Sequence, residues 1–197
     1  MPSEAIEAFG DVDLVIHAGD ICEPEVIRDL ENVAPVVAVR GNHDRNDWDL
    51  PDTAVVDVAG ARIGVIHGER HPMIEYSSAL WLLATGRVRM GSHCRALARQ
   101  LPKVDCLVSG HIHIPIDRTI NGTHFFSPGA AYQPEGDPDF DWSSRGRRIY
   151  RAVRRRLPAE SLTPAVGVLE ITNGRIHARA IQLTEPTRAG MTKSAPV

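Results

Sequence analysis

Cysteine is scarce in this chain of 197 residues, and the three present, Cys22, Cys94 and Cys106, include no Cys-x-x-C pair. An odd and widely spaced set excludes a disulfide scaffold and fits a reducing compartment. Long apolar runs are missing as well. None approaches the ~20 residues a membrane span needs, and the N-terminus lacks the pattern of a signal peptide. Charge of one sign is also in short supply: the formal net charge is −3, too small to argue for a nucleic-acid or membrane partner. No internal repeat is present. These absences leave a cytoplasmic globular protein, long enough for one well-cored domain or one domain with an insertion. A homo-oligomer is compatible with all of them.

Histidine, by contrast, is well represented. Several of the nine stand at the ends of apolar runs, beside glycines, where an α/β sheet exposes functional side chains. Val12 to Ala18 reads as a buried strand ended by Gly19-Asp20, and Pro35 to Val39 as a second, stopped by Arg40-Gly41-Asn42. Pro24 to Leu30 has helical spacing, with Glu23 and Glu25 at its start. Thr53 to Val58 and Arg62 to Ile66 form a hairpin running into His67-Gly68. Residues from Tyr76 to Leu101 read as two helices broken near Gly86 and Gly91. Val104 to Val108 is a buried strand ending at Ser109-Gly110-His111. Two hairpins follow, with turns at Asn121-Gly122 and Asn173-Gly174, a pair of residues that suits a type I′ turn. Between about 134 and 164 the composition turns to Asp, Pro, Ser and Arg, which reads as an insertion or partly mobile lid. The domain is expected to span 1–184, with a disordered tail over 185–197. Mixed strands and helices of these kinds are buried by two facing sheets with helices outside.

Four strand ends carry the chemistry: Gly19-Asp20, Gly41-Asn42-His43-Asp44, His67-Gly68 and Gly110-His111-Ile112-His113. A carboxylate such as Asp20 can bridge two divalent cations. Neutral imidazoles of His67, His111 and His113 and the amide oxygen of Asn42 complete a mixed N/O shell that suits Mn, Fe or Zn better than Ca. Side chains two apart on an extended segment face the same way, so His111 and His113 can serve one metal pair. Two cations about 3.5–4 Å apart would acidify a bridging water and clamp an in-line phosphoryl displacement. His43 would then face substrate as proton donor, with Asp44 orienting its ring. Arg40 flanks the site, as a contact for substrate phosphate or as a solvated loop residue.

With these runs in hand, "DLVIHAGDI", "VVAVRGNHD", "IGVIHGE", "LVSGHIHIP" and "FFSPGA", the chain resembles the calcineurin-like metallophosphoesterase superfamily, in particular its small YfcE-like phosphodiesterase branch. The likeness runs from about Asp11 to Leu183. It implies an α/β fold of the four-layer αββα type, two mixed sheets flanked by helices. It also implies Asp20 as bridging ligand, Asn42, His67 and His111 on one metal, His113 on the other, and His43 where many members carry the leaving-group acid. The implied activity is a metal-dependent phosphoesterase, most naturally a phosphodiesterase, working by a metal-bridging hydroxide. Two divalent ions are expected, manganese first, with iron, zinc or nickel as alternatives. The expected partner is a phosphate-ester small molecule, with neither nucleic acid nor membrane.

One motif of the superfamily is not found here. The family order begins with Asp-x-His on a first strand, whereas Met1 to Phe9 reads as the helix after it. The expectation is a start placed at an internal Met with roughly 20–30 residues upstream, in preference to a short chain with weak activity or none. The second possibility motivates an alternative, a non-catalytic scaffold on the same fold, as the retromer scaffold subunit of eukaryotes is. Blander readings apply elsewhere. His17 is a core residue or a support to the ligands, and His71, His93, His124 and His177 are surface or packing residues. Ser127 belongs to a structural turn, and Arg145 to Arg156 form a solvated amphipathic helix.

Overall fold

The computed structural model of the chain describes residues 3–136 and 140–183; the tail expected over 185–197 lies outside them. The chain opens with α1 (Ser3–Phe9), β1 (Val15–His17), α2 (Pro24–Glu31) and β2 (Val36–Ala38). β1 and β2 pair in parallel, Val15 opposite Val36 and His17 opposite Ala38, which makes α2 the crossover of a βαβ unit. α2 starts where the sequence placed it. Pro24 stands in the first turn, where a missing N–H costs nothing, and Glu25 meets the positive end of the helix.

Next come β3 (Thr53–Val58), β4 (Ala61–Ile66), α3 (Pro72–Thr85), α4 (Met90–Gln100), β5 (Cys106–Ser109), β6 (Ile116–Ile120) and β7 (Thr123–Ser127). Their strands form a five-stranded mixed sheet in the order β3-β4-β5-β7-β6, parallel at the centre and closed by a hairpin at each side. α5 (Arg145–Arg154), β8 (Ala165–Thr172) and β9 (Arg175–Gln182) complete the chain. Both Asn-Gly pairs turn as expected, each with two positive φ angles: 52° and 86° at Asn121-Gly122, 50° and 76° at Asn173-Gly174.

Four layers result. On one face of the five-stranded sheet, Ile66, Leu107 and Phe125 pack on Cys94 and Leu97 of α4. On the other, Ile63, Cys106 and Val108 meet Ile16 from β1 and Leu169, Ile171 and Ile176 from β8 and β9. α2 covers β1 and β2 through Leu30 and Val26, and α1 covers the last hairpin through Ala5. The αββα order is thus present. The second β layer differs from the expected mixed sheet: among the described residues it consists of two strand pairs with no ladder joining them.

Local departures have local causes. α3 begins at Pro72 rather than Tyr76, because Nδ1 of His71 accepts the N–H of Met73 and Pro72 opens the first turn. It ends at Gly86, whose φ of 67° supplies the left-handed cap. Gly91 does not break α4 but lies in its first turn. The arginine-rich stretch is the helix α5, capped by the Ser144 side chain on the N–H of Arg147 at 3.3 Å. His93, expected at the surface or in packing, is a packing residue of α4, only 2% exposed.

Neither ring nitrogen of His93 has a hydrogen-bond partner. Burial, helped by the nearby Arg70 charge, pushes its pKa from 6.5 down to about 4. The unfolded chain therefore takes up a proton that the fold refuses. The resulting stability is complete above pH 6.5 and is lost as pH falls toward about 4. His93→Phe should flatten this part of the stability curve, measured by urea unfolding of metal-free protein across that range.

Candidate metal centre

The loops after β1 and β2 are locked together by one carboxylate. Asp44 Oδ2 accepts the N–H groups of Asp20 at 2.9 Å and Gly41 at 2.8 Å, and Oδ1 accepts that of Cys22 at 2.9 Å. In return, Asp20 Oδ1 accepts the N–H of His43 at 2.8 Å. So close an approach needs glycine. A Cβ on Gly41 would overlap the amide and carboxylate of Asp20, and one on Gly19 would stand 2.7 Å from both Gly41 N and His67 Nδ1. Asp44 was expected to steer the ring of His43. In the structure it is only 8% exposed, and both its oxygens are taken by backbone.

His67, at the end of β4, donates from Nδ1 to the carbonyl of Ala18 at 2.7 Å. That bond leaves Nε2 as the lone-pair nitrogen. Nε2 lies 3.1 Å from Asn42 Oδ1, 3.3 Å from His111 Nδ1 and 3.4 Å from Asp20 Oδ2. His111 Nδ1 is 2.9 Å from the same Asn42 oxygen. Its other nitrogen, Nε2, faces the Glu75 carboxylate at 3.6 Å. A proton drawn to that side leaves Nδ1 free as well. Lone pairs from Asp20, Asn42, His67 and His111 therefore converge. Ligands about 2.1 Å from one cation sit roughly 3.0–3.4 Å apart, the spacing seen here.

Electrostatics match this picture. Burial opposes ionisation of Asp20, but the His67 ring and the His43 N–H outweigh it and hold the carboxyl at about 2. Burial likewise opposes a charge on His67, yet Asp20 and the Ala18 carbonyl raise its pKa, so a proton can stand in for a cation. The backbone is strained at three of the expected ligands. Asp20, His111 and His113 have φ of 59°, 63° and 54°, a conformation that costs a non-glycine residue about 1–2 kcal/mol. His113 is half-buried, and its Nδ1 is buried with no hydrogen-bond partner. Burial first, then the Arg154 charge, brings its pKa down to about 4. The donors fit a divalent cation, but the set is gathered rather than closed. Among the described residues, no group of three or more His, Cys, Asp or Glu side chains is placed to hold a metal ion as it stands.

The remaining expected residues are placed as follows. His43 is exposed beside the cluster, and only its backbone is engaged by Asp20. Arg40 hydrogen-bonds Asp52 through Nε at 3.2 Å, and lines a cavity of about 250 Å³ with Gly41 and His67. His17 keeps a buried Nδ1 without a partner. Sequence reasoning missed Glu75 and Arg70. Arg70 grips Glu75 at 2.9 and 3.0 Å, and Glu75 backs His111. Burial opposes the Glu75 charge, but His111 and Arg70 overcome it and bring the pKa to about 2. The signal was a lone acid in the otherwise uncharged α3.

Comparison with known proteins decides the ancestry. Residues 1–141 match the model of the calcineurin-like phosphoesterase superfamily domain. The chain belongs to this superfamily. A probable metallophosphoesterase of Methanothermobacter thermautotrophicus is 31% identical over 135 residues, 68% of this chain and 69% of that protein. Another, from Methanocaldococcus jannaschii, is 31% identical over 134 residues, 68% of this chain and 61% of its own length. Two solved metallophosphoesterase-fold structures support the architecture. Zinc-complexed Vps29 of Entamoeba histolytica superposes with a TM-score of 0.59 at 21% identity, covering 92% of this chain and 89% of that one. A novel archaeal phosphodiesterase gives 0.54 at 19%, covering 90% and 88%. Phosphoesterase function is thereby supported in general terms, and no helix among the described residues is long and apolar enough to cross a membrane.

If Asp44 braces the loops, its loss must register in stability. Asp44→Ala strands three N–H groups and should cost about 2–4 kcal/mol in urea unfolding of the metal-free protein. Asp44→Asn, which keeps one acceptor oxygen, should cost roughly half as much. A residue that merely oriented His43 would leave stability unchanged.

Proposed function

We propose that this chain is a divalent-metal-dependent phosphoesterase acting on phosphodiesters. The observation that carries the reading is the convergence of Asp20, Asn42, His67 and His111 at 2.9–3.4 Å, within a superfamily of phosphoesterases. These four would hold one cation, while Asp20 and His113 would contribute to a second. Manganese is the first choice, with iron, zinc or nickel as alternatives. When bound, the metal supplies Lewis-acid charge for the phosphoryl oxygens and a nucleophile at neutral pH. Asp20 brings negative charge to the centre and stays ionised down to about pH 2. His67 and His111 present fixed lone pairs because Ala18 and Glu75 engage their other nitrogens. His43, tethered to Asp20 by its N–H, would be the residue to protonate a departing alkoxide. Arg40 would meet a phosphoryl oxygen only by leaving Asp52.

Hydrolysis of bis(p-nitrophenyl) phosphate with added Mn²⁺ tests the reading. Wild type should turn over. Asp20→Asn and His111→Ala should fall to the no-enzyme blank, and His43→Ala should lose 10²–10⁴-fold. Wild type at the blank would overturn it. A non-catalytic module is the second reading, favoured by the incomplete cage among the described residues and the fold shared with Vps29. Elemental analysis separates the two: bound metal supports the enzyme, and a metal-free protein supports the module.

Glu75 provides a finer check. Glu75→Ala frees the far nitrogen of His111, and should weaken Mn²⁺ binding about 10-fold in calorimetry. Glu75→Gln, still able to accept a hydrogen bond, should recover part of that loss.

A further inference from the structure

Among the described residues, the exposed large apolar side chains gather in one region, Val55 on β3 apart. Met73, Tyr76, Leu80 and Trp81 lie on α3, Val88 follows it, and Ile149 lies on α5, which packs against α3. Met73, Tyr76 and Leu80 follow one another at helical spacing and are 71%, 68% and 66% exposed. Side chains so exposed project outward rather than line a groove. A contiguous apolar surface of this kind marks an interaction site.

Its rim is cationic. α5 carries arginines and no acidic residue, and Arg87 and Arg89 follow α3. Nearby carboxylates are already engaged: Glu75 by Arg70, Asp141 by Arg147 and Glu135 by Arg154. Arg148 has no carboxylate partner among the described residues, and Arg151 lies over the Trp142 ring at 5.1 Å. The net charge of −3 conceals this gathering, which is why the sequence argued against a membrane partner.

A second copy on the same face of a two-fold dimer would set these cations against each other. An acidic helix would need a groove for its apolar side. A bilayer surface accepts aliphatic and aromatic side chains without matching their shape, and its lipid phosphates answer the arginines. We propose that α3 and α5 form an interfacial surface that docks the protein on an anionic lipid bilayer, independently of the metal centre. Leu80 and Trp81 enter the headgroup boundary, and the exposed Arg148 and Arg151 of α5 pair with lipid phosphates.

Sedimentation with vesicles tests this. The full chain should bind phosphatidylcholine–phosphatidylglycerol vesicles, release at high salt, and ignore pure phosphatidylcholine vesicles. Leu80→Glu with Trp81→Glu should abolish binding, with circular dichroism confirming the fold. Arg148→Ala and Arg151→Ala, both at exposed positions, should each lower partitioning about fivefold. The proposal is overturned by equal binding to both vesicle types, by binding to neither, or by binding that survives all these variants. A concentration-dependent dimer in light scattering that Leu80→Glu abolishes would also overturn it, because a second copy would then cover the face.

Discussion

The Asp44 carboxylate is the joint on which the centre depends. Two of the three residues whose N–H groups it accepts, Asp20 and Cys22, have φ of 59° and 65°. Such angles are held only where the surroundings over-determine them. Here the third bond, from Gly41, ties the strained loop after β1 to the loop after β2. The left-handed turn at Asp20 places its carboxylate against the His43 N–H and the His67 ring rather than along the strand. The Asp44 carboxylate thus decides where that of Asp20 points.

Around that joint, each polar group has one side engaged and the other presented. His67 commits Nδ1 to Ala18, and His111 turns Nε2 to Glu75, which Arg70 grips in turn. The remaining nitrogens, His67 Nε2 and His111 Nδ1, then both face the Asn42 amide oxygen. In water such crowding would disperse. In this fold the glycines and the Asp44 clamp hold the groups together. A proton on His67 would answer part of the set, and a divalent cation would answer all four donors at once. The pattern is that of a site organised before its ligand arrives.

Much of this was legible in the sequence, for identifiable reasons. Strand ends at Asp20, Asn42, His67 and His111 could be read because short apolar runs stop at glycine, and both Asn-Gly turns announced their geometry. Convergence of the ligands followed from order along the chain. What escaped was anything depending on side-chain reach across the fold. Asp44 follows a histidine, and adjacency suggested a partnership with that neighbour, whereas its bonds run to backbone up to 24 residues away. Glu75 stands on a different element from His111, and no spacing rule connects them. The split of the second β layer was hidden too, since strand pairing is a matter of proximity that residue pattern does not encode. Exposure of α3 was equally invisible, because an apolar helix reads as buried.

Among the fourteen residues of α3, Leu82 is the one buried side chain, so little apolar burial holds the helix in place. What does fix it on the inner side is polar: the Arg70–Glu75 pair, the contact of Glu75 with His111, and Arg70 reaching Ser78 at 3.3 Å. Such links orient a helix well but anchor it weakly, because each is partly solvated. Covering the outer stripe of Met73, Tyr76 and Leu80 would add the burial the inner side lacks, at about 25 cal/mol for each Å² of apolar surface. On this helix the exposed apolar stripe and the Glu75 contact with His111 are two faces separated by less than one turn.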